Sequence, residues 1–452
     1  GVRWEGDGPP HDRNGLPLRT VRGMDDPATL ELAPAGSPLW PTERTNFAPR
    51  LGIGYQLRSN PGWETQLRGN LGLFYGLSSS AASRVALGAP YLVSRPLGAS
   101  SYPIATAQAT PPASELSVPY SLLYAFPQDF HAPRVLEWNA GVEQHLGPHW
   151  MGIAEYVGST GDRLLHRELL LPSEGLNPQF SIIELINNRS KSNYNALQMR
   201  LARAFGSGVR IWGTYTFSHS LDISSSLAHP MPFYLTYNPE LDYGNSDFDV
   251  SHSLAIVATY TSKANFDWTW LRRTLTDWSI ASSLRARTGM PINVMTGSDL
   301  IDLGYTKSDY RRPDRILGQS FWTRGAQYPG GRALNPAAFQ ANTTVLQGTL
   351  ARNAVRGFGV WQEDLSLTRT LPLRENLRLG LRMDVFNLFN HPSFGDPGTQ
   401  YTTTNLLTSP TFGVSSATLA RSLGHGGADG GYNPAYQIGG ERAIQLAAQI
   451  KF

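Results

Sequence analysis

The sequence predicts an all-β fold, an antiparallel transmembrane β-barrel with short periplasmic turns and long extracellular loops. Three observations lead there. In the stretch from Glu441 to Phe452 (ERAIQLAAQIKF), Arg442, Ile444, Leu446, Ala448, Ile450 and Phe452 share one side of an extended strand. Ala443, Gln445, Ala447, Gln449 and Lys451 share the other, because strand side chains alternate with a period of two. Second, no run of about 18 apolar residues exists, so no transmembrane helix is available. A barrel strand needs only about ten alternating residues. Third, the connections between candidate strands alternate long and short, as a barrel with one short-turn rim requires.

Twelve strands can be marked by alternation and turn punctuation, at about 1–5, 46–58, 65–76, 135–146, 150–159, 194–205, 209–219, 250–261, 277–288, 361–370, 377–388 and 441–452. In the second, Leu51, Ile53, Tyr55 and Leu57 oppose Gly52, Gly54, Gln56 and Arg58. In the sixth, Leu197, Met199 and Leu201 oppose Gln198, Arg200 and Ala202. In the eleventh, Leu377, Leu379, Leu381, Met383 and Val385 oppose Arg378, Gly380, Arg382 and Asp384. The fifth is ambiguous, since Ile153 and Val157 share a face with Glu155. Short turns are expected at SNPGWE (59–64), GPH (147–149), GSG (206–208) and LPLREN (371–376), with an intermediate one at 262–276. Long loops are expected at about 6–45, 77–134, 160–193, 220–249, 289–360 and 389–440. Trp4, Tyr55, Tyr75, Trp138, Trp150, Tyr156, Tyr215, Phe217, Trp278, Trp361 and Phe452 all fall in strands, suiting headgroup-level girdles. Cross-strand packing in a soluble sheet is the plainer alternative.

Composition narrows the function classes. Of 452 residues, 40% are apolar, 16% charged and 11% aromatic, with 45 Gly and 32 Pro favouring short strands and turns. A formal charge of +3 is too small for nucleic-acid binding, and zero cysteines exclude disulfides, thiolate catalysis and Cys-ligated zinc. The start at Gly1 (GVRWEGDGPP) alternates as though already inside a strand, which suggests a processed or truncated N-terminus.

Several stretches resemble the TonB-dependent receptor family, in particular the Oar-like receptors with a carboxypeptidase-regulatory-like N-terminal domain. They include NFAPRLGIGYQL (46–57), LRGNLGLFYG (67–76), YNALQMRLARAFGSG (194–208), TYTFSHSLD (214–222) and LDYGNSDFDVSHSLAIVATY (241–260). LRARTGMPINV (284–294), ARNAVRGFGVWQEDLSLTR (351–369) and LRMDVFNLFNHPSFGDP (381–397) continue the series. The resemblance implies a 22-stranded barrel around a plug domain, and residues 1–452 as its C-terminal portion, with plug and N-terminal domains absent. It implies solute uptake across the cell outer membrane, with no enzymatic activity and no cofactor. The implied partners are outer-membrane lipid, the plug and remaining strands, TonB, and the barrel-assembly machinery reading Ile444, Leu446, Ile450 and Phe452. A structural or adhesive surface protein on the same barrel is one alternative; a soluble all-β carbohydrate-binding or hydrolytic protein is another.

Candidate sites follow from the facing pattern. The face opposite the apolar one collects Arg50, Arg58, Arg68, Arg200, Arg285, Arg287, Arg378 and Arg382, with Glu137, Glu143, Asp364 and Asp384. This reads as a basic path for an anionic or metal-chelated solute, or as structural ion pairs with plug and neighbours. Asp242, Asp247 and Asp249 (LDYGNSDFD) form a weak Ca²⁺ candidate through hard oxygen ligands, although the spacing is not that of an EF-hand and turn capping is the commoner explanation. NLFNHP, with Asn387, Asn390, His391 and Pro392, reads as a turn. His219, Asp222 and Ser224 suggest a hydrolase, but no Gly-x-Ser-x-Gly elbow frames the serine. Glu363 and Asp364 would point to opposite faces of a strand and cannot act as a couple. Gly424–Tyr432 reads as a flexible loop, and region 77–133 as a segment that orders on ligand or partner binding.

Overall fold

A computed structural model describes residues 1–9, 19–76, 78–85, 91–92, 103–110, 118–120, 122–170, 175–204, 208–225, 231–232, 238–262, 268, 276–296, 311–341, 347–374, 377–397, 406–419 and 439–452. Twelve long strands run in one antiparallel path in chain order. They are β1 (Val2–Asp7), β2 (Glu43–Arg58), β3 (Thr65–Tyr75), β4 (Arg134–Leu146), β5 (Trp150–Leu170) and β6 (Ile183–Ala204). The path continues through β7 (Val209–Asp222), β8 (His252–Thr261), β9 (Trp278–Arg287), β10 (Val360–Arg374), β11 (Leu377–Phe386) and β12 (Ala443–Lys451). All twelve strands expected from the sequence are present. Among the described residues β1 and β12 are the two edges of the path, and no pairing joins them.

The register keeps one face apolar throughout. A single cross-strand row reads Tyr55, Leu67, Val142, Ala154, Met199, Tyr215, Leu254, Ala286 and Trp361 from β2 to β10. A slip of one residue anywhere would turn a strand's whole apolar set to the other face, so the pattern specifies the register strongly. The eleven aromatics marked as girdle candidates all carry the parity of this row. Where two strands would crowd, glycine makes room: a Cβ on Gly158 would lie 2.3 Å from the ring of Trp138.

Among the described residues most of this apolar face is uncovered, apart from contacts at its long-loop end such as Trp361 with Phe389 and His391. Leu51, Ile53 and Leu446 are 70%, 70% and 75% exposed. Among the described residues three hydrophobic cores lie elsewhere, in the long connections and the far ends of β5 and β6. Val21, Leu30, Leu123, Leu170, Phe180 and Ile183 form one of them. Trp40, Ala81, Val85, Phe126, Phe130 and Ile186 form the next, with Trp40 about equally close to both phenylalanine rings, at 4.9 Å. Ile292, Val294, Leu334, Phe339, Val355 and Phe412 form the third. A packed soluble sheet would show the reverse, with its core on the sheet, so the soluble alternative fails.

One further expectation needs correction. The loop at 160–193 is mostly strand, because β5 and β6 continue to Leu170 and from Ile183 and stay paired across irregularities between Gly161 and His166. Alternation is needed only where one face is buried or in lipid; beyond that level, residues such as Arg167, Glu168 and Glu184 blur the pattern while the backbone keeps pairing. Part of 77–133 lies within the described residues and has local structure. Ser79–Val85 is helical, and Ala81, Val85, Leu123 and Phe130 are buried. The Gly424–Tyr432 stretch lies outside the described residues.

With the apolar face in lipid, Met383→Arg, deeper along β11, should cost roughly 2–4 kcal/mol, and Leu377→Arg at the rim about 0–1. Equilibrium unfolding from phospholipid vesicles measures both, and equal costs at the two depths would contradict a lipid-facing strand.

Candidate functional site

The face opposite the apolar one carries the charges. By register, Arg200 (β6), Arg285 and Arg287 (β9), Arg378, Arg382 and Asp384 (β11) and Glu143 (β4) all point away from the apolar side. They do not converge on one pocket. Glu143 is held by Arg68, which also donates to Gln66 Oε1 at 3.1 Å. Arg382 Nε donates to both oxygens of Asp384, at 2.9 and 2.7 Å. Arg50 lies 4.3 Å from the Phe74 ring in a cleft of about 310 Å³ shared with Asn70, Glu137 and Asn139. Arg378 borders a cleft of about 620 Å³ at the short-turn rim, with Thr261, Ser279, Thr368 and Thr370. Arg200 is exposed on the open face. The wall is therefore basic and spread out, with some of its carboxylates already neutralised.

The denser electrostatic site lies at the long-loop rim, where two of the motif stretches meet. Arg352 donates to the Asp222 carbonyl at 3.0 Å, to Ser225 Oγ at 2.8 Å and to Asp247 Oδ1 at 2.9 Å, and pairs with the Asp222 carboxylate. Asn353 adds a donor to Asp247 Oδ1 at 2.7 Å and exchanges bonds with Asn245. Arg356 pairs with Asp249, whose other oxygen accepts the Ser220 amide at 2.7 Å. Arg312, 2% exposed, pairs with fully buried Asp242 and donates to the Leu350 and Leu241 carbonyls at 2.9 and 2.8 Å. Burial pushes the Asp242 carboxyl above its ordinary range, and Arg312 pulls against that shift. Thus ARNAVRG and LDYGNSDFD are the two halves of one clamp, holding the 223–251 connection to the 288–359 connection.

The Ca²⁺ candidate residues take part in this clamp. Asp242, Asp247 and Asp249 each face their own arginine, and among the described residues no cluster of His, Asp and Glu is arranged to hold a metal. Turn formation also contributes, as the Asp249 amide closes on Ser246. The hydrolase arrangement dissolves too. His219 carries the parity of the apolar face and lies 3.6 Å from Asp249, whereas Asp222 belongs to Arg352 and Ser225. Glu363 and Asp364 part as expected: Glu363 accepts from Ser282 at 2.8 Å, Asp364 from the Asn387 amide at 2.8 Å. Asn387 ends β11 as a turn hub, at φ 51°, and donates to the His391 and Gly440 carbonyls.

A second anchor sits beside the third core. Asp396 Oδ1 accepts the Phe358 amide at 2.6 Å, and a Cβ at Gly357 would fall 1.9 Å from that oxygen, so only glycine fits. Arg332 lies between Trp322 and Phe358, 4.0 and 4.7 Å from their rings, and donates to the Gly357 carbonyl. Burial pushes the Asp396 carboxyl up, against the pull of the Phe358 amide and of Arg287 and Arg332. The sequence reading named the aspartates without Arg312, Arg352 and Arg356. Their signal was the joint recurrence of Arg and Asn in one motif and Asp and Asn in the other.

The sequence matches the family described as outer membrane beta barrel domain over residues 1–423. No curated protein matches it in sequence. Among solved structures, the outer membrane transporter YddB from Escherichia coli is similar at 12% identity and a TM-score of 0.49, covering 90% of this chain and 41% of that one. The pyoverdine outer membrane receptor FpvA from Pseudomonas aeruginosa gives 9% and 0.46, covering 94% and 38%. The FrpB iron transporter from Neisseria meningitidis gives 10% and 0.42, covering 93% and 41%. The chain thus spans between 38% and 41% of the length of these three proteins.

Arg352→Met should leave Asp222 and Asp247 without their shared partner and destabilise the clamp by roughly 3–5 kcal/mol. Limited proteolysis should show cleavage in 223–251, while the β-sheet circular dichroism stays unchanged. A carboxyl that holds its proton more tightly in the folded cap favours folding at low pH, and that advantage fades as pH rises through the raised value. Hydrogen exchange at the Phe358 amide should therefore quicken, beyond its intrinsic pH dependence, as pH rises above the ordinary carboxylate range. Asp396→Asn should remove that excess.

Proposed function

Since the chain belongs to the outer membrane beta barrel domain family and resides in the outer membrane, we propose that it forms wall and outer cap of a TonB-dependent receptor that takes up an anionic or metal-chelated solute. The observation that carries this reading is the two-faced sheet. One face is apolar along every strand and meets lipid; the other presents arginines from β6, β9 and β11 to the interior. Such a wall lowers the electrostatic cost of moving an anion past it. In this reading Arg200, Arg285, Arg287, Arg378 and Arg382 line the path, while Glu143 and Asp384 set its local charge. The two edge strands join the remaining wall, since an open edge in hydrocarbon costs several kcal/mol per unpaired group. A plug gates the passage, TonB supplies the energy, and Ile444, Leu446, Ile450 and Phe452 form the signal read by the barrel-assembly machinery.

One observation favours a second reading, an adhesive surface protein. The long connections carry three hydrophobic cores and the Asp–Arg clamp, which is more structure than a mere entrance needs. Deleting the 288–359 connection separates the two, since adhesion would be lost with solute uptake unchanged.

In cells making the whole receptor, Arg200→Gln, Arg285→Gln and Arg382→Gln together should slow uptake of negatively charged ferric chelates about tenfold or more. Surface abundance should not change, and collapse of the proton gradient should stop the residual uptake. Undiminished uptake in the triple variant would sink the basic-path reading.

A further inference from the structure

Near the short-turn rim the interior face carries a run of hydroxyl groups. Thr261 on β8, Ser279 on β9 and Thr368 on β10 stand directly opposite one another in one row. The Thr261 and Ser279 hydroxyls lie 3.3 Å apart, and Thr368 Oγ1 donates to the Ser279 carbonyl at 3.4 Å. Thr370 follows on β10, opposite Gly380 on β11, where no side chain fills the space. These four residues line the cleft of about 620 Å³ together with Asp277, Arg374 and Arg378. Asp277 directly precedes β9 and Arg378 lies on β11, so two strand spacings, about 10 Å, separate the carboxylate from that guanidinium. Neither end is neutralised. Among the described residues Asp277, Arg374 and Arg378 enter no ion pair, and the residue directly opposite Arg378 on β12 is another cation, Lys451. Elsewhere on this face, by contrast, Glu143 has Arg68 and Asp384 has Arg382.

We propose that this cleft binds a polyhydroxylated anion of the sugar-phosphate type, with its anionic group at Arg374 and Arg378 and its hydroxyls along the Thr–Ser row toward Asp277. The inference rests on the anionic-path reading only for its role, a resting place on the periplasmic side of that path. The volume lies within the range of small-molecule sites, roughly 300–1,000 Å³. A planar guanidinium meets two oxygens of a phosphate at once, which makes the basic end the seat of the charge. Each serine or threonine hydroxyl offers one donor and two lone pairs, and the contacts within the row leave most of these open. A ligand with an alkyl middle would pair both charged ends, yet it would strip water from four hydroxyls and return no bond to them. A ligand rich in hydroxyls returns those bonds. An ionised carboxylate only accepts, so Asp277 takes an O–H from the ligand. It also repels a second anionic group, which fixes the direction in which the ligand lies.

The test uses the full chain in a polyoxyethylene detergent, which carries no sugar, with binding read by isothermal titration calorimetry at low ionic strength. Glucose 6-phosphate should bind about tenfold more tightly than inorganic phosphate, and uncharged glucose should give no measurable heat. Arg378→Gln should weaken glucose 6-phosphate about tenfold or more, with sheet circular dichroism unchanged. Thr370→Val should weaken it about threefold and leave inorganic phosphate as it was. No binding of glucose 6-phosphate, equally tight binding of inorganic phosphate or of glucose, or undiminished binding by Arg378→Gln would each overturn the proposal. The ligand comparisons use only the wild-type chain, so the proposal is decided even where a variant fails to fold. Failure here with uptake still slowed in the Arg200, Arg285 and Arg382 triple variant would remove this site and leave the basic path standing.

Discussion

A peptide group in hydrocarbon has no water to bond, so each one left unpaired costs several kcal/mol. Everything else in this structure is arranged around that constraint. It forces β1 to β12 into one continuous ladder in which every interior strand is paired on both sides. It also frees the side chains from their usual task. In a soluble sheet the apolar face would find a protein core, whereas here Leu51, Ile53 and Leu446 are exposed and the strands are held by backbone pairing. Burial of apolar area within the chain is displaced into the long connections, which build three small cores at one end of the sheet.

Those connections carry the specific polar chemistry. Outside lipid, a buried carboxylate can be held only if its partner is close and its remaining lone pairs are used. Asp222, Asp247 and Asp249 meet that condition through Arg352, Asn353, Arg356 and backbone donors. The clamp ties a connection that follows β7 to one that follows β9, so the cap is fastened across strands and not to a single hairpin. Two stretches that share only a family resemblance in the sequence are thus complementary in charge. The arginines of the inner wall differ in kind: they are spread over several strands, and only some meet a carboxylate.

The sequence by itself determined the strands, their faces and their order. Period-two alternation is a local property, and a one-residue error would expose the whole set, so Ile444, Leu446 and Ile450 could be placed without coordinates. Alternating loop lengths then assigned the two rims. What only the tertiary structure decided lies outside the lipid. The ladder of β5 and β6 runs on past the last alternating residue, because backbone pairing there needs no side-chain pattern. The pairing of Asp242 with Arg312, and of Asp249 with Arg356, joins residues 70 and 107 positions apart. An aspartate beside glycines and asparagines looks the same in sequence whether it caps a turn, binds a cation or awaits an arginine. The choice among these is set by a partner whose approach depends on the whole chain being folded.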